Sequence, residues 1–168
     1  PIDMRYDQSG GETARELIGK LTKEQLADII YEFGDERRSR KIAKNIKSSR
    51  NLNTTSDLVD AIRKSTPPHQ RNKTFARVFQ AIRIAVNGEI EKLKSFLNIF
   101  LRYLNKEGRL VIMSYHSLED RIVKNFFREL KRDNKVCVLT KKPITPSTTE
   151  IEHNRRARSA KLRALEKL

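Results

Sequence analysis

The chain has 168 residues, with 36 Lys and Arg against 21 Asp and Glu and a formal net charge of +15, and is long enough for one sizeable core or two small ones. The cationic surplus points to a polyanionic partner, nucleic acid first. No apolar run approaches the roughly 20 residues that a membrane span needs and no secretory signal pattern opens the chain, so the expectation is a cytoplasmic protein without a membrane partner.

Cys137 is the one cysteine; it excludes a disulfide framework and reads as a small buried side chain. His69, His116 and His153 lie far apart and lack finger-type spacing, which argues against zinc. The six glycines make neither a G-x-G-x-x-G nor a P-loop pattern, so no nucleotide cradle is legible. The chain opens Pro1-Ile2-Asp3-Met4, and this start without an initiator methionine reads as a piece of something longer.

The first section predicts short helices. Thr13 with Glu16 forms a capping box ahead of Ala14, Leu17, Ile18 and Leu21, and Thr22 with Gln25 repeats the device ahead of Leu26, Ile29, Ile30 and Phe33. Gly34 stops the second helix. A third runs from about Asp35 to Lys47, with Ile42, Ala43 and Ile46 as its apolar stripe and Arg37, Arg40, Lys41, Lys44 and Lys47 gathered opposite. Those five are candidate RNA contacts, though a lysine-rich face is equally at home in plain solvent. Thr54, Thr55 and Asp57 open a fourth helix carrying Leu58, Val59 and Ile62, and Pro67-Pro68 closes the section.

Beyond the prolines, Phe75, Val78, Phe79, Ile82 and Val86, then Ile90, Leu93, Leu97, Phe100 and Leu104, form a long amphipathic stretch that Asn87-Gly88 bends or divides. Leu110 to Met113 is continuously apolar, the pattern of a strand covered on both faces. Ser114, Tyr115, His116 and Ser117 interrupt it, and Ser117 with Asp120 is the expected N-cap pair of the following helix. Polar residues at a strand end that also open a helix occupy the place where an open α/β sheet keeps its ligand; an ordinary strand-to-helix turn has the same pattern. Lys135 to Thr140 predicts a second strand. Thr145 would cap a short helix with Pro146 at its first position. From Asn154 onward strand and helix both fit, and Arg155, Arg156, Arg158, Lys161, Arg163 and Lys167 are opposed only by Glu166, a second cluster suited to phosphates.

Five blocks carry a family resemblance: Pro1 to Gln8, Thr74 with Phe79 to Asn87, Ser114 to Lys124, Lys142 to Pro146, and Arg158 to Arg163. In this order they resemble the signature blocks of the bacterial 16S ribosomal RNA cytosine-N4 methyltransferases. The resemblance implies an α/β fold, the C-terminal part of a Rossmann-like S-adenosylmethionine-dependent methyltransferase domain plus an inserted all-helical domain. Residues 1–7 would end an upstream catalytic segment, 8–68 would be the inserted helical domain, and 69–168 the C-terminal part of the methyltransferase domain. The implied activity is methyl transfer from S-adenosyl-L-methionine to the exocyclic N4 of a cytidine near the decoding centre, with 16S ribosomal RNA in the small subunit as partner and a homodimer as a compatible assembly. The family's glycine-rich cofactor loop, its acidic ribose ligand and its base-facing motif have no counterpart here, so no cofactor-binding residue carries over, and a chain of this extent is expected to be inactive alone. Ser114 and His116, at the strand end, are the candidate catalytic residues; His116 bracing the loop is the competing role. Arg121 is expected to brace a neighbouring carboxylate. A basic helical RNA-binding module without catalysis is the alternative function.

Overall fold

Capping boxes lay down the first helices. In the computed structural model, which describes residues 1–168, α1 (Ala14–Lys20) and α2 (Lys23–Gly34) start at the boxes Thr13/Glu16 and Thr22/Gln25, and α4 (Thr55–Arg63) starts at Thr54/Asp57. Each box satisfies otherwise orphaned N–H groups at a helix start. Between them, α3 (Ser39–Lys47) is shorter than its pattern suggested. Asp35 takes the left-handed conformation (φ 51°) as the C-cap of α2, so the chain turns before α3 can begin. After a 3₁₀ turn at Pro68–Gln70, α5 (Arg71–Asn87) ends at Gly88 in the left-handed conformation (φ 58°), and α6 (Glu89–Ile99) follows; Asn87-Gly88 divides the amphipathic stretch.

The chain forms two compact units, Pro1–Glu89 and Ile90–Leu168. The first has a core of aliphatic side chains from all five of its helices, including Ile18, Leu26, Ile30, Ile42, Leu58, Val78 and Ile82. The first unit includes α5, because the Val78/Ile82 face of α5 packs into this core. Gly34 permits the approach of α2 to α5: a Cβ there would lie 2.6 Å from the Arg77 carbonyl oxygen. The first residues of the chain are also tied in here. Ile2 is buried in the same core, and the Asp3 and Ile2 carbonyls accept the N–H groups of Ala14 (2.7 Å) and Arg15 (3.0 Å) at the open end of α1.

The second unit carries the sheet. Strands β1 (Arg109–Ser114), β2 (Val136–Val138) and β3 (Lys161–Lys167) lie in the order β1-β3-β2. β3 is antiparallel to both neighbours, with Val111 opposite Ala164, Met113 opposite Leu162, and Cys137 opposite Glu166. β1 and β2 therefore run in the same direction, joined by α7 (Ser117–Arg132). From Lys161 onward the ambiguous tail resolves as the central strand, hydrogen-bonded to both β1 and β2. The short helix before it, α8 (Thr148–His153), is capped by Ser147 and not Thr145.

One face of this sheet is covered and the other is not. Leu97, Phe100, Val123, Phe127, Leu130, Val136 and Leu165 form the core on the covered side. Val111 (55% exposed), Met113 (52%) and Tyr115 (55%) look outward, which corrects the expectation of a strand covered on both faces. The unit supplies a helical layer to one side only, so the alternate residues Val111 and Met113 have no layer over them. Cys137 faces solvent for the same reason, contrary to its expected burial.

Candidate functional site

The loop leaving β1 is built by a histidine cap. Ser114, the last strand residue, is 2% exposed and continues the covered face of Leu110 and Ile112. His116, in extended conformation, is the N-cap of α7: its Nδ1 accepts the N–H of Glu119 at 3.3 Å, while Glu119 Oε2 accepts the N–H of Tyr115 at 3.2 Å. The expected Ser117/Asp120 cap is thus displaced by one residue, an imidazole nitrogen acting as the acceptor that a serine hydroxyl usually provides. Accepting at Nδ1 leaves the hydrogen of a neutral ring on Nε2. That nitrogen is buried, 3.3 Å from Glu119 Oε2, but not aligned to hydrogen-bond it. Burial pushes the Glu119 carboxyl up, and the adjacent His116 ring and the Tyr115 N–H outweigh it, so the group sits below the usual carboxylate range.

Freed from capping, Asp120 turns inward. Its carboxylate accepts Arg163 Nε at 2.7 Å and Nη2 at 3.3 Å, with Lys161 Nζ at 3.6 Å. The Asp120 and Arg163 side chains are 11% and 7% exposed. Burial raises the Asp120 pKa, but the Arg163 guanidinium and then the Lys161 ammonium hold the net value below the usual range. This ion pair fastens the first turn of α7 to β3. Arg121, expected to brace a carboxylate, is exposed instead. Arg163 does that work, a role hidden in the sequence by a separation of 43 residues.

The basic candidates divide. Lys161 is drawn to Asp120, and of its tail neighbours Arg163 is buried while Lys167 Nζ donates to the carbonyls of Leu101 (2.9 Å) and Leu104 (2.6 Å). Arg155, Arg156 and Arg158 stay exposed on a 3₁₀ turn spanning Arg155–Ser159. Arg156 borders a depression of about 300 Å³ beside the strand end, with Met113, Tyr115, Ile144 and Leu162 as its apolar wall and Glu150 and Asn154 as polar rim. In the helical unit, Arg40, Lys41 and Lys44 flank a groove against α2 that Lys23, Glu24 and Asp28 also line, with Glu24 paired to Lys23 at 3.0 Å. Lys47 Nζ donates to the Ile18 and Gly19 carbonyls at 2.9 and 3.0 Å, closing the C-terminal end of α1. Arg37 stands apart from these four, at a concavity shared with Arg38, Lys73 and Arg77.

A nucleoside cofactor needs close backbone approach, normally at glycines beside strand ends. Gly108 is the one glycine in the sheet-bearing unit, and its Cβ position is blocked at 2.7 Å by the Asn105 carbonyl oxygen of its own turn.

A profile of the MraW methylase family matches residues 1–168. The chain is 47% identical to a ribosomal RNA small subunit methyltransferase H of Kosmotoga olearia, over 100% of this chain and 58% of that protein. It is 48% identical to the protein of the same description from Thermotoga neapolitana, over 99% of this chain and 56% of the other, and 49% identical to that of Sorangium cellulosum, over 98% and 53%. The chain therefore spans somewhat more than half the length of these relatives.

Proposed function

Because this chain belongs to the MraW methylase family, we propose that it is the C-terminal part of an S-adenosylmethionine-dependent methyltransferase acting on the exocyclic N4 of a cytidine in small-subunit ribosomal RNA, near the decoding centre. The observation that carries the reading is near-half identity along the whole chain to proteins described as ribosomal RNA small subunit methyltransferases. The strand–helix–strand unit with an antiparallel strand wedged between its parallel partners is the expected closing edge of a Rossmann-like sheet. Its open apolar face is where the remainder of a relative-length polypeptide would pack. Residues 8–68, within the helical unit, are the inserted domain. No helix is long and apolar enough to cross a membrane, and action in the bacterial cytoplasm fits the reading.

The amine of cytosine is a weak nucleophile, since its lone pair is delocalised into the ring. Catalysis must orient that amine and accept its proton, and orientation alone supplies much of the acceleration in such reactions. With Ser114 and His116 both beneath the surface, their contribution is to position the strand-end loop. His116 fixes the start of α7, Asp120 locks it to β3, and Tyr115 stands exposed at the mouth. The donor of the methyl group is held by loops outside this chain, and the Arg155, Arg156 and Arg158 turn grips RNA backbone.

The test uses a full-length protein containing this chain, small ribosomal subunits lacking the modification, and methyl-labelled S-adenosylmethionine. Label incorporated into 16S RNA supports the reading. Label confined to transfer RNA or the large subunit overturns the substrate assignment, and no label in any RNA overturns the reading and favours a basic RNA-binding module without catalysis.

A further inference from the structure

The helical unit holds a second concentration of charge that the strand-end loop does not use. Glu36 is buried, and its carboxylate is answered from within: Thr74 Oγ1 donates at 3.0 Å, the Arg38 N–H donates at 3.0 Å, and Arg77 Nη1 lies 3.7 Å away. Around it opens a concavity of about 380 Å³ to which Arg37, Arg38, Lys73 and Arg77 all contribute. Four cations thus surround a single carboxylate. Arg37 and Lys73 are exposed and take part in no ion pair.

The start of α5 adds to this field. Its N-cap, Gln70, makes no side-chain cap bond, and its first turn contains no acidic residue. The Gln70 Oε1 instead accepts from Arg38 Nη1 at 2.6 Å. A 17-residue helix ordinarily places carboxylates at its N-terminal end, where the partial positive charge of the free N–H groups rewards them. Here Arg71 and Lys73 occupy that turn, an arrangement that an external anion would stabilise.

We propose that the concavity formed by Arg37, Arg38, Lys73 and Arg77 is a cradle for a phosphodiester of the RNA substrate, a grip on RNA backbone made by the helical unit. The inference rests on the RNA reading above and adds a defined contact to it. A phosphodiester presents two non-bridging oxygens, sharing one negative charge, to donors converging from α5 and from the segment before α3, and the residues lining the concavity are all polar or charged. The groove at Arg40, Lys41 and Lys44 is the weaker candidate because Glu24 and Asp28 share it. The contact is to the RNA backbone, so its effect is on affinity and register.

The experiment measures binding of a fluorescein-labelled, unmethylated small-subunit rRNA hairpin by anisotropy over a series of KCl concentrations. It compares the chain, the double variant Arg37→Gln/Lys73→Gln, and a charge-matched control, Lys92→Gln/Lys94→Gln, on the exposed side of α6. Loss of one phosphate contact lowers the slope of log affinity against log salt by about 0.7–0.9. The expected result is a slope reduced by about one in the cradle variant and unchanged in the control. Equal slopes in both variants overturn the cradle while leaving the RNA reading intact. No RNA binding by the unmodified chain overturns both. A parallel ³¹P NMR titration with inorganic phosphate identifies the source: line broadening that the double variant abolishes, with RNA binding unaltered, assigns the site to a free anion and refutes the backbone grip.

Discussion

Asp120→Asn is the most informative single perturbation of the sheet-bearing unit. The substitution keeps the shape of the side chain but leaves the Arg163 guanidinium, 7% exposed, beside Lys161 with no counter-charge. Removing one member of a buried pair typically costs about 3–5 kcal/mol, mostly through the uncompensated charge left behind. For a protein of this size each kcal/mol shifts the melting temperature by roughly 2–4 °C, so the variant should melt about 6–20 °C lower at neutral pH. The pH dependence has a definite sign. The Asp120 pKa is depressed in the folded state, so its stabilisation is fully present above the unfolded value of about 3.9 and is lost as pH falls through the lower folded value. The gap between wild type and variant should therefore close below about pH 4. Arg163→Met in the Asp120→Asn background should recover part of the loss, because an apolar side chain then replaces the stranded charge. Calorimetry across pH provides the assay. A neutral-pH melting temperature within 2 °C of wild type would refute the claim that this pair fastens α7 to β3.

Three further outcomes follow from packing and capping. Gly34→Ala should destabilise the helical unit by about 1–3 kcal/mol, because the new Cβ meets the Arg77 backbone at 2.6 Å and α2 must move off α5; chemical denaturation measures it. His116→Ala should cost about 0.5–2 kcal/mol through loss of the α7 cap, whereas His116→Asn, a strong N-cap residue, should retain most of that stability; equal losses in both would show that the ring does more than cap. Met113→Glu lies on the open sheet face and should leave the stability of this chain within about 0.5 kcal/mol; if the proposed packing of a longer polypeptide on that face holds, it should also lower the soluble yield and melting temperature of a full-length protein.

The helical unit was the more legible half. Its capping boxes at Thr13, Thr22 and Thr54 are local signals with a mechanism, and the structure has all three. The beginning of α3 was missed because the left-handed turn at Asp35 is a property of two helices meeting, not of the residues alone. At the strand end, the sequence located the loop but misread its wiring. Ser117 and Asp120 satisfy the capping pattern as well as His116 and Glu119 do, and only the position of Arg163, 43 residues away, shows why Asp120 is withdrawn. The open face of β1 could not have been anticipated. A continuous apolar run records what a strand is built to contact, and its second partner lies outside the covering layer that this unit supplies. The basic clusters show the same limit: Lys47 and Lys167 look like their neighbours in sequence, yet each is committed to a pair of main-chain carbonyls.

The decisive measurement is single-turnover methylation of unmodified small ribosomal subunits by a full-length protein containing this chain, with nucleoside mass spectrometry of the product and Ser114→Ala and His116→Asn measured in parallel. The proposed function requires the label in N4-methylcytidine of 16S RNA. A positioning role for the loop predicts that His116→Asn keeps the rate per folded molecule within a few-fold of wild type, whereas a proton-accepting His116 would lose about 10²-fold or more. Label on a ring carbon, on another nucleobase, or on no nucleoside at all would contradict the assignment.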